Sequence, residues 1–139
     1  MISPRVYEAI EWQSGELGLF GLTMTYSGHP VASAVALETL KIYEELHIVE
    51  HVQKVGPGLL DGLMQLQGHP LVKEVRGIGL LAGVELIPNH ARECARIAEE
   101  EGLIVRAIGD TIAICPPLII SEAEVQELLQ RLEKSLDRL

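Results

Sequence analysis

The sequence predicts an α+β fold: a small antiparallel sheet with helices packed on one face, preceded by a long connecting helix. Three observations carry this expectation. An apolar stripe at helical spacing runs from Pro30 to Leu46. Near Leu71 the period of the pattern changes toward two, the signature of strands. Beyond that point short strand-like runs alternate with two capped helical segments, which can bury their apolar stripes only against the strands.

Taken in order, Ser3-Pro4 is a helix start, with Val6, Tyr7 and Ile10 following at helical spacing, so a short helix is expected to end near Trp12. From Ser14 to Met24 glycines punctuate the chain without a sustained period, and a loop is expected there. Pro30 then opens a helix whose stripe is Val31, Val35, Leu37, Leu40, Ile42, Tyr43 and Leu46. Its length suits a connection between two domains. A second helix is expected from about Ile48 to Leu66, bent or interrupted at Gly56-Pro57-Gly58 and stopped by Gly68-His69-Pro70.

Val72, Glu74 and Arg76 alternate, and Ile78 to Leu86 reads as one buried strand. Gly77, Gly79 and Gly83 have the spacing G-x-G-x-x-x-G with no helix opening behind them. That departs from a dinucleotide fingerprint and points to glycine where another backbone passes closely. Asn89 is the expected N-cap of a helix through Glu101, with Gly102 as its stop. Leu103 to Arg106 and Thr111 to Ile114 read as two strands of a hairpin turning at Gly109-Asp110, ended by Pro116-Pro117. Ser121 followed by Glu124 caps a last helix to about Leu136.

Composition narrows the function. The core must be aliphatic, because aromatic residues are scarce while apolar content is high. A formal net charge of -9 with no basic stripe argues against nucleic acid as a partner. Apolar runs such as Ile78 to Val84 are too short to cross a bilayer, so no membrane partner and a cytoplasmic location are expected. Cys94 and Cys115 lack metal-ligand spacing and are expected as two reduced, buried thiols. Glu99-Glu100-Glu101 is expected to be a solvated face.

Two stretches carry chemistry. Thr25-Tyr26-Ser27-Gly28-His29-Pro30 places short hydroxyls and a glycine at a helix entrance, which serves either as a plain cap or as an anion contact. For His29 a backbone-bonded capping role is the plainer expectation. Arg106 stands at a strand end in an apolar neighbourhood. It is expected either to pair with Asp110 or Glu85 or to hold a substrate carboxylate with its forked guanidinium. His47-Ile48-Val49-Glu50-His51 matches the spacing H-x-x-E-H, yet His47 falls between two helices, so the rings need not share a face and no metal is expected. His69 and His90 are expected to face solvent at turns.

The wording of these stretches is more specific than their chemistry. Thr25-Tyr26-Ser27-Gly28-His29-Pro30-Val31-Ala32 resembles the phosphate-contacting loop of class III, or omega-type, aminotransferases, which use pyridoxal 5'-phosphate. Leu103-Ile104-Val105-Arg106 with Gly109-Asp110 and Pro116-Pro117-Leu118 is similar to the segment that binds the substrate carboxylate in that family. Ser3 to Tyr7 is similar to the segment after the family's cofactor lysine, and Val75 to Leu80 to a strand entry. The resemblance implies the C-terminal small domain of a fold type I enzyme. It assigns Thr25, with Met24, to the cofactor of a partner subunit in a homodimer, and Arg106 to the carboxylate. In some members that arginine swings away. One departure is Leu22-Thr23, where the family often has His-Gly.

By the same resemblance the catalytic lysine and the acid beside the cofactor ring lie upstream, so no catalytic residue is expected in this chain. The expected division is 1–29 as a remnant of the large domain, 30–70 as the connecting and second helices, and 71–139 as the small domain. The expected role is the C-terminal part of a transaminase moving an amino group between an amine or amino acid and a keto acid or aldehyde, inactive alone. A mutase or decarboxylase with the same cofactor, or a non-catalytic dimerisation or binding module, are the alternatives.

Overall fold

The computed structural model describes residues 2–20 and 25–139. They form two compact units, one reaching to Lys41 and the other running from Ile42 to Leu139. The first holds α1 (Pro4–Leu17) and most of α2 (Pro30–Glu45). Ser3 caps α1 by accepting the Val6 N–H, and Gly18 ends it in the left-handed region. The helix therefore runs a turn and more past Trp12, through Gly15, because propensity alone is too weak to stop it there. Neither α1 nor α2 has a buried residue, and Val31, Val35, Leu37 and Leu40 of the α2 stripe are all exposed.

The second unit is a four-stranded antiparallel sheet covered on one face by helices. Its strands are β1 (Val72–Ile78), β2 (Leu81–Leu86), β3 (Arg106–Ile108) and β4 (Thr111–Ile114), in the order β1-β2-β4-β3. The helices are α3 (Ile48–Gln65), α4 (Ala91–Glu100) and α5 (Glu122–Asp137). α5 packs against both α3 and α4, α3 meets β1, and α4 meets β3 and β4. Leu59, Leu63, Val84, Ile112, Leu132 and Leu136 are the centre of the core, each at most 1% exposed. Burying each such side chain stabilises the fold by roughly 1.5–3 kcal/mol.

α3 continues through Pro57, so the expected interruption is absent. Pro57 is exposed, while its neighbour Gly56 is buried against the backbone of Gly79, where a Cβ would sit 3.0 Å from three main-chain atoms. The glycine is there for a close approach, and the continuing helix keeps it in place. The run Ile78 to Leu86 is likewise not one strand. Ile78 pairs with Leu81 across Gly79-Leu80, and only Gly79 has positive φ, at 57°, which is the pattern of a type II′ hairpin turn. A register shift between Val72 and Glu74 puts both Val72 and Val75 into the core, a β-bulge that simple alternation does not foresee.

Asn89 is not an N-cap. It has φ 71°, and His90 precedes α4 without a side-chain cap. α4 ends where expected: Leu103 N–H donates to Ala98 O at 2.7 Å and Gly102 N–H to Glu99 O at 3.0 Å, a Schellman closure. Ser121 and Glu124 form the expected capping box of α5. Glu100 and Glu101 are more than a solvated face. They pair with Arg96, Arg138 and Lys134, tying the end of α4 to α5. Cys94 is buried and Cys115 exposed, both as free thiols, so burial holds for only one of the two. His69 is half-buried, its Nδ1 accepting the Leu71 N–H at 3.2 Å. His90, also half-buried, bonds Pro88 O. Among the described residues no helix is long and apolar enough to cross a membrane.

Candidate functional site

Arg106 opens β3, the short edge strand of the sheet, and is exposed. The register places it in one cross-strand row with Ala113, Gly83 and Arg76. The neighbouring row of Val75, Val84, Ile112 and Ala107 faces the core, so the Arg106 row faces away from the helices. Gly83 and Ala113 leave little side-chain bulk between the two arginines. Both partners that the sequence suggested for Arg106 are engaged elsewhere. Glu85 accepts from Lys73 at 2.5 Å and from Arg76 at 2.9 Å, and Asp110 Oδ1 accepts the Asn89 N–H at 3.0 Å. The Arg106 guanidinium has no hydrogen bond or ion pair to any described residue.

Arg5 and Arg92 also lack partners among the described residues, but both stand on exposed helix surface. Arg106 differs in projecting from a sheet row with small neighbours. A hydrated guanidinium costs little to leave unpaired, and its fork fits a carboxylate through two parallel hydrogen bonds. Lys73 and Arg76 hold the Glu85 carboxyl below its ordinary range, and Glu85 in turn raises Lys73. Glu85 therefore stays an anion committed to that pair.

Thr25 lies in the turn that leads to α2 and is exposed. Tyr26 and Gly28 both have φ 70°, and His29 N–H donates to Tyr26 O at 3.1 Å. His29 Nδ1 accepts the Ala32 N–H at 3.5 Å, a long contact, and Ser33 N–H donates to His29 O at 2.9 Å. His29 thus has the capping role expected for it, with the Tyr26 ring edge-on at 6.1 Å. Because the helix entrance is already capped in this way, an anion contact here rests on the Thr25 hydroxyl, which bonds no described residue. Met24, assigned beside it, and Leu22-Thr23 lie outside the described residues.

The four lysines each hold an acid: Lys41 with Glu38, Lys54 with Glu122, Lys73 with Glu85 and Lys134 with Glu101. Their side chains are 63% to 74% exposed. A cofactor amine needs the opposite setting, desolvated and close to deprotonation. None of the four lysines thus suits covalent attachment. His47 has φ 49° at the start of α3, and His51 Nε2 donates to Ile120 O at 2.8 Å. The H-x-x-E-H rings therefore have separate settings.

A cavity of about 350 Å³ opens where Leu103–Val105 and Ala113–Pro117 part beside α5. Its charged walls are already matched, Glu124 with Ser121 and Glu127 with Arg131. Arg106 is not among its lining residues.

A family model described as "Aminotransferase class-III" matches residues 4–136. The chain is 41% identical over 141 residues to gamma-aminobutyrate transaminase 1, mitochondrial, of Oryza sativa subsp. indica, an overlap of 93% of this chain and 27% of that protein. It is 40% identical over 148 residues to gamma aminobutyrate transaminase 3, chloroplastic, of Solanum lycopersicum, covering 98% of this chain and 28% of the relative. Among solved structures, the omega transaminase of Pseudomonas jessenii in complex with PMP superposes with TM-score 0.86 at 46% identity, over 99% of this chain and 33% of that one. A transaminase solved with L-ala gives TM-score 0.87 at 42% identity, over 99% and 35%. The chain thus spans under two fifths of each relative, matching part of a fold type I transaminase. With the family model covering nearly all of its length, the chain belongs to the class III aminotransferases, the family that uses pyridoxal phosphate.

Proposed function

We propose that this chain is the C-terminal part of a working aminotransferase and supplies two anchors, Thr25 and Arg106, to the sites of a homodimer. Residues 71–139 form the small domain, 30–70 the connecting and second helices, and 1–29 belong with the large domain. The uncovered stripe of α2 supports its part as a connection, since Val31, Val35, Leu37 and Leu40 are between 61% and 64% exposed and need a covering surface, whereas the second helix, α3, packs in one unit with the sheet. Thr25 donates its hydroxyl hydrogen to the phosphate of the cofactor, across a homodimer interface. Arg106 takes the carboxylate of an amino-acid or keto-acid substrate in two parallel hydrogen bonds. Pyridoxal phosphate, when bound, supplies the electron sink that lets nitrogen pass between the substrates. The two anchors fix the orientation of the reacting groups, which sets the bond that breaks. The lysine comes from the large domain, so the chain alone is inactive.

The observation that carries this reading is the Arg106 guanidinium, unpartnered among the described residues while Asp110 and Glu85 are both engaged. Replacing it tests the assignment. In the complete enzyme, Arg106→Ala should raise KM for a keto acid by about tenfold or more, the worth of a charged hydrogen-bonded contact. Turnover of an aldehyde acceptor without a carboxylate should hold. Equal loss on both acceptors contradicts the assignment.

A further inference from the structure

We infer that Asp110 is a positioning residue for Arg106, acting through the backbone N–H of Asn89. The inference rests on the reading of Arg106 as the carboxylate anchor. β3 is three residues long, lies at the sheet edge and pairs only with β4. An edge strand held on one side shifts easily, so the place of Arg106 depends on how its hairpin is fixed. Ile108 pairs with Thr111 across Gly109-Asp110, and Gly109 supplies the positive φ of 60° that the turn requires.

Beside the β2–β4 ladder and the Arg76 bond to the Thr111 hydroxyl, the tip of this hairpin is tied to the rest of the unit by two bonds that end on Asp110. Leu86 N–H donates to its carbonyl at 2.8 Å, fixing the tip to the end of β2. Asn89 N–H donates to its carboxylate Oδ1 at 3.0 Å, fixing it to the approach to α4. The left-handed backbone at Asn89 points that N–H at the turn, a conformation that asparagine tolerates better than most residues. α4 itself packs on β3 and β4, so the carboxylate closes a loop of structure around the strand that carries Arg106. The sequence offered Asp110 as an ion-pair partner for Arg106. Its geometry makes it a tether.

The test compares wild type with Asp110→Ala, Asp110→Asn, Asp110→Glu and Arg106→Ala in the complete aminotransferase, using a keto acid and a carboxylate-free aldehyde of similar size. Asp110→Ala should raise KM for the keto acid about fivefold, the worth of one net hydrogen bond, with kcat and the aldehyde parameters unchanged. Asp110→Asn keeps an oxygen for the Asn89 N–H and should restore most of the KM. Asp110→Glu keeps the charge but displaces the oxygen and should resemble Asp110→Ala. The inference is overturned if Arg106→Ala discriminates between the acceptors while Asp110→Ala affects both alike or neither, or if Asp110→Asn is as poor as Asp110→Ala. If Arg106→Ala itself shows no discrimination, the carboxylate assignment fails, a separately visible result.

Discussion

At the scale of single residues, the difference between a structural and a chemical side chain is one of partners. Arg96 and Arg138 are committed to acids at both ends, whereas Arg106 has no described partner. The two cysteines divide in the same way. Burial pushes the Cys94 thiol up to about 11, so it is almost wholly protonated at neutral pH, while Cys115 is exposed. A thiol-specific reagent should therefore label only Cys115 in the native chain and both cysteines after denaturation. Rapid native labelling of Cys94, read by peptide mass, contradicts the packing described for α4. The sequence marked Arg106 and Thr25 through the words around them. It could not reveal whether Asp110 and Glu85 were free, because the partners of those acids, Asn89 and Arg76, are set by a turn and a sheet register. Asn89 carried a signal nonetheless: asparagine suits the left-handed region as well as a cap, and the two uses look alike in one dimension.

At the scale of elements, local chemistry and tertiary contact compete. Where a side chain closes its own helix end, the sequence was readable, as in the Ser121–Glu124 box; the turn at Gly109-Asp110 was readable too, but the strand before it is Arg106–Ile108 and not Leu103 to Arg106, because the pairing with β4 starts only at Arg106. Ser121→Ala should therefore cost about 1 kcal/mol by denaturant unfolding of the chain, since it leaves an α5 N–H without its acceptor. No change in midpoint would mean that α5 is held by packing alone. Where a glycine serves a contact distant in sequence, local rules misled. Gly56-Pro57 looks like a break and is a continuous helix, because Gly56 is there for Gly79. Ile78 to Leu86 looks like one strand because the run stays apolar through a turn, and Leu80, in that turn, is only 5% exposed.

At the scale of the whole molecule, the second unit has a closed core and several surface ion pairs, while α1 and α2 expose their apolar residues. Hydrogen bonds hold Glu85, Glu93, Glu100, Glu101 and Glu122 below the ordinary carboxyl value of 4.5, through Lys73, Arg96, Arg138, Lys134 and Lys54 in turn. A group with a depressed folded pKa contributes stability that is present above its unfolded value and lost as pH falls through the folded one. Thermal stability should thus decline as pH drops below 4.5, and the decline should shrink in concentrated salt, because these groups are exposed and screened. Lys73, raised above 10.5, adds a loss only at the alkaline end. A melting midpoint indifferent to acid would show that these pairs contribute nothing. Composition and period conveyed the α+β class and the helix from Ile48, but its place as a third helix on the sheet is set by its contacts with β1 and α5.

This chain is proposed to bring anchors to the pyridoxal phosphate sites of a dimer whose reactive amines come from other polypeptide. The most direct test is borohydride reduction with pyridoxal phosphate and then peptide mapping, on the chain alone and on the chain joined to a class III large domain. No stoichiometric adduct is expected on Lys41, Lys54, Lys73 or Lys134 in the isolated chain, because each is exposed and paired with an acid. In the joined protein a single adduct is expected, on the large domain. One stoichiometric adduct on any of these four lysines would contradict the proposal.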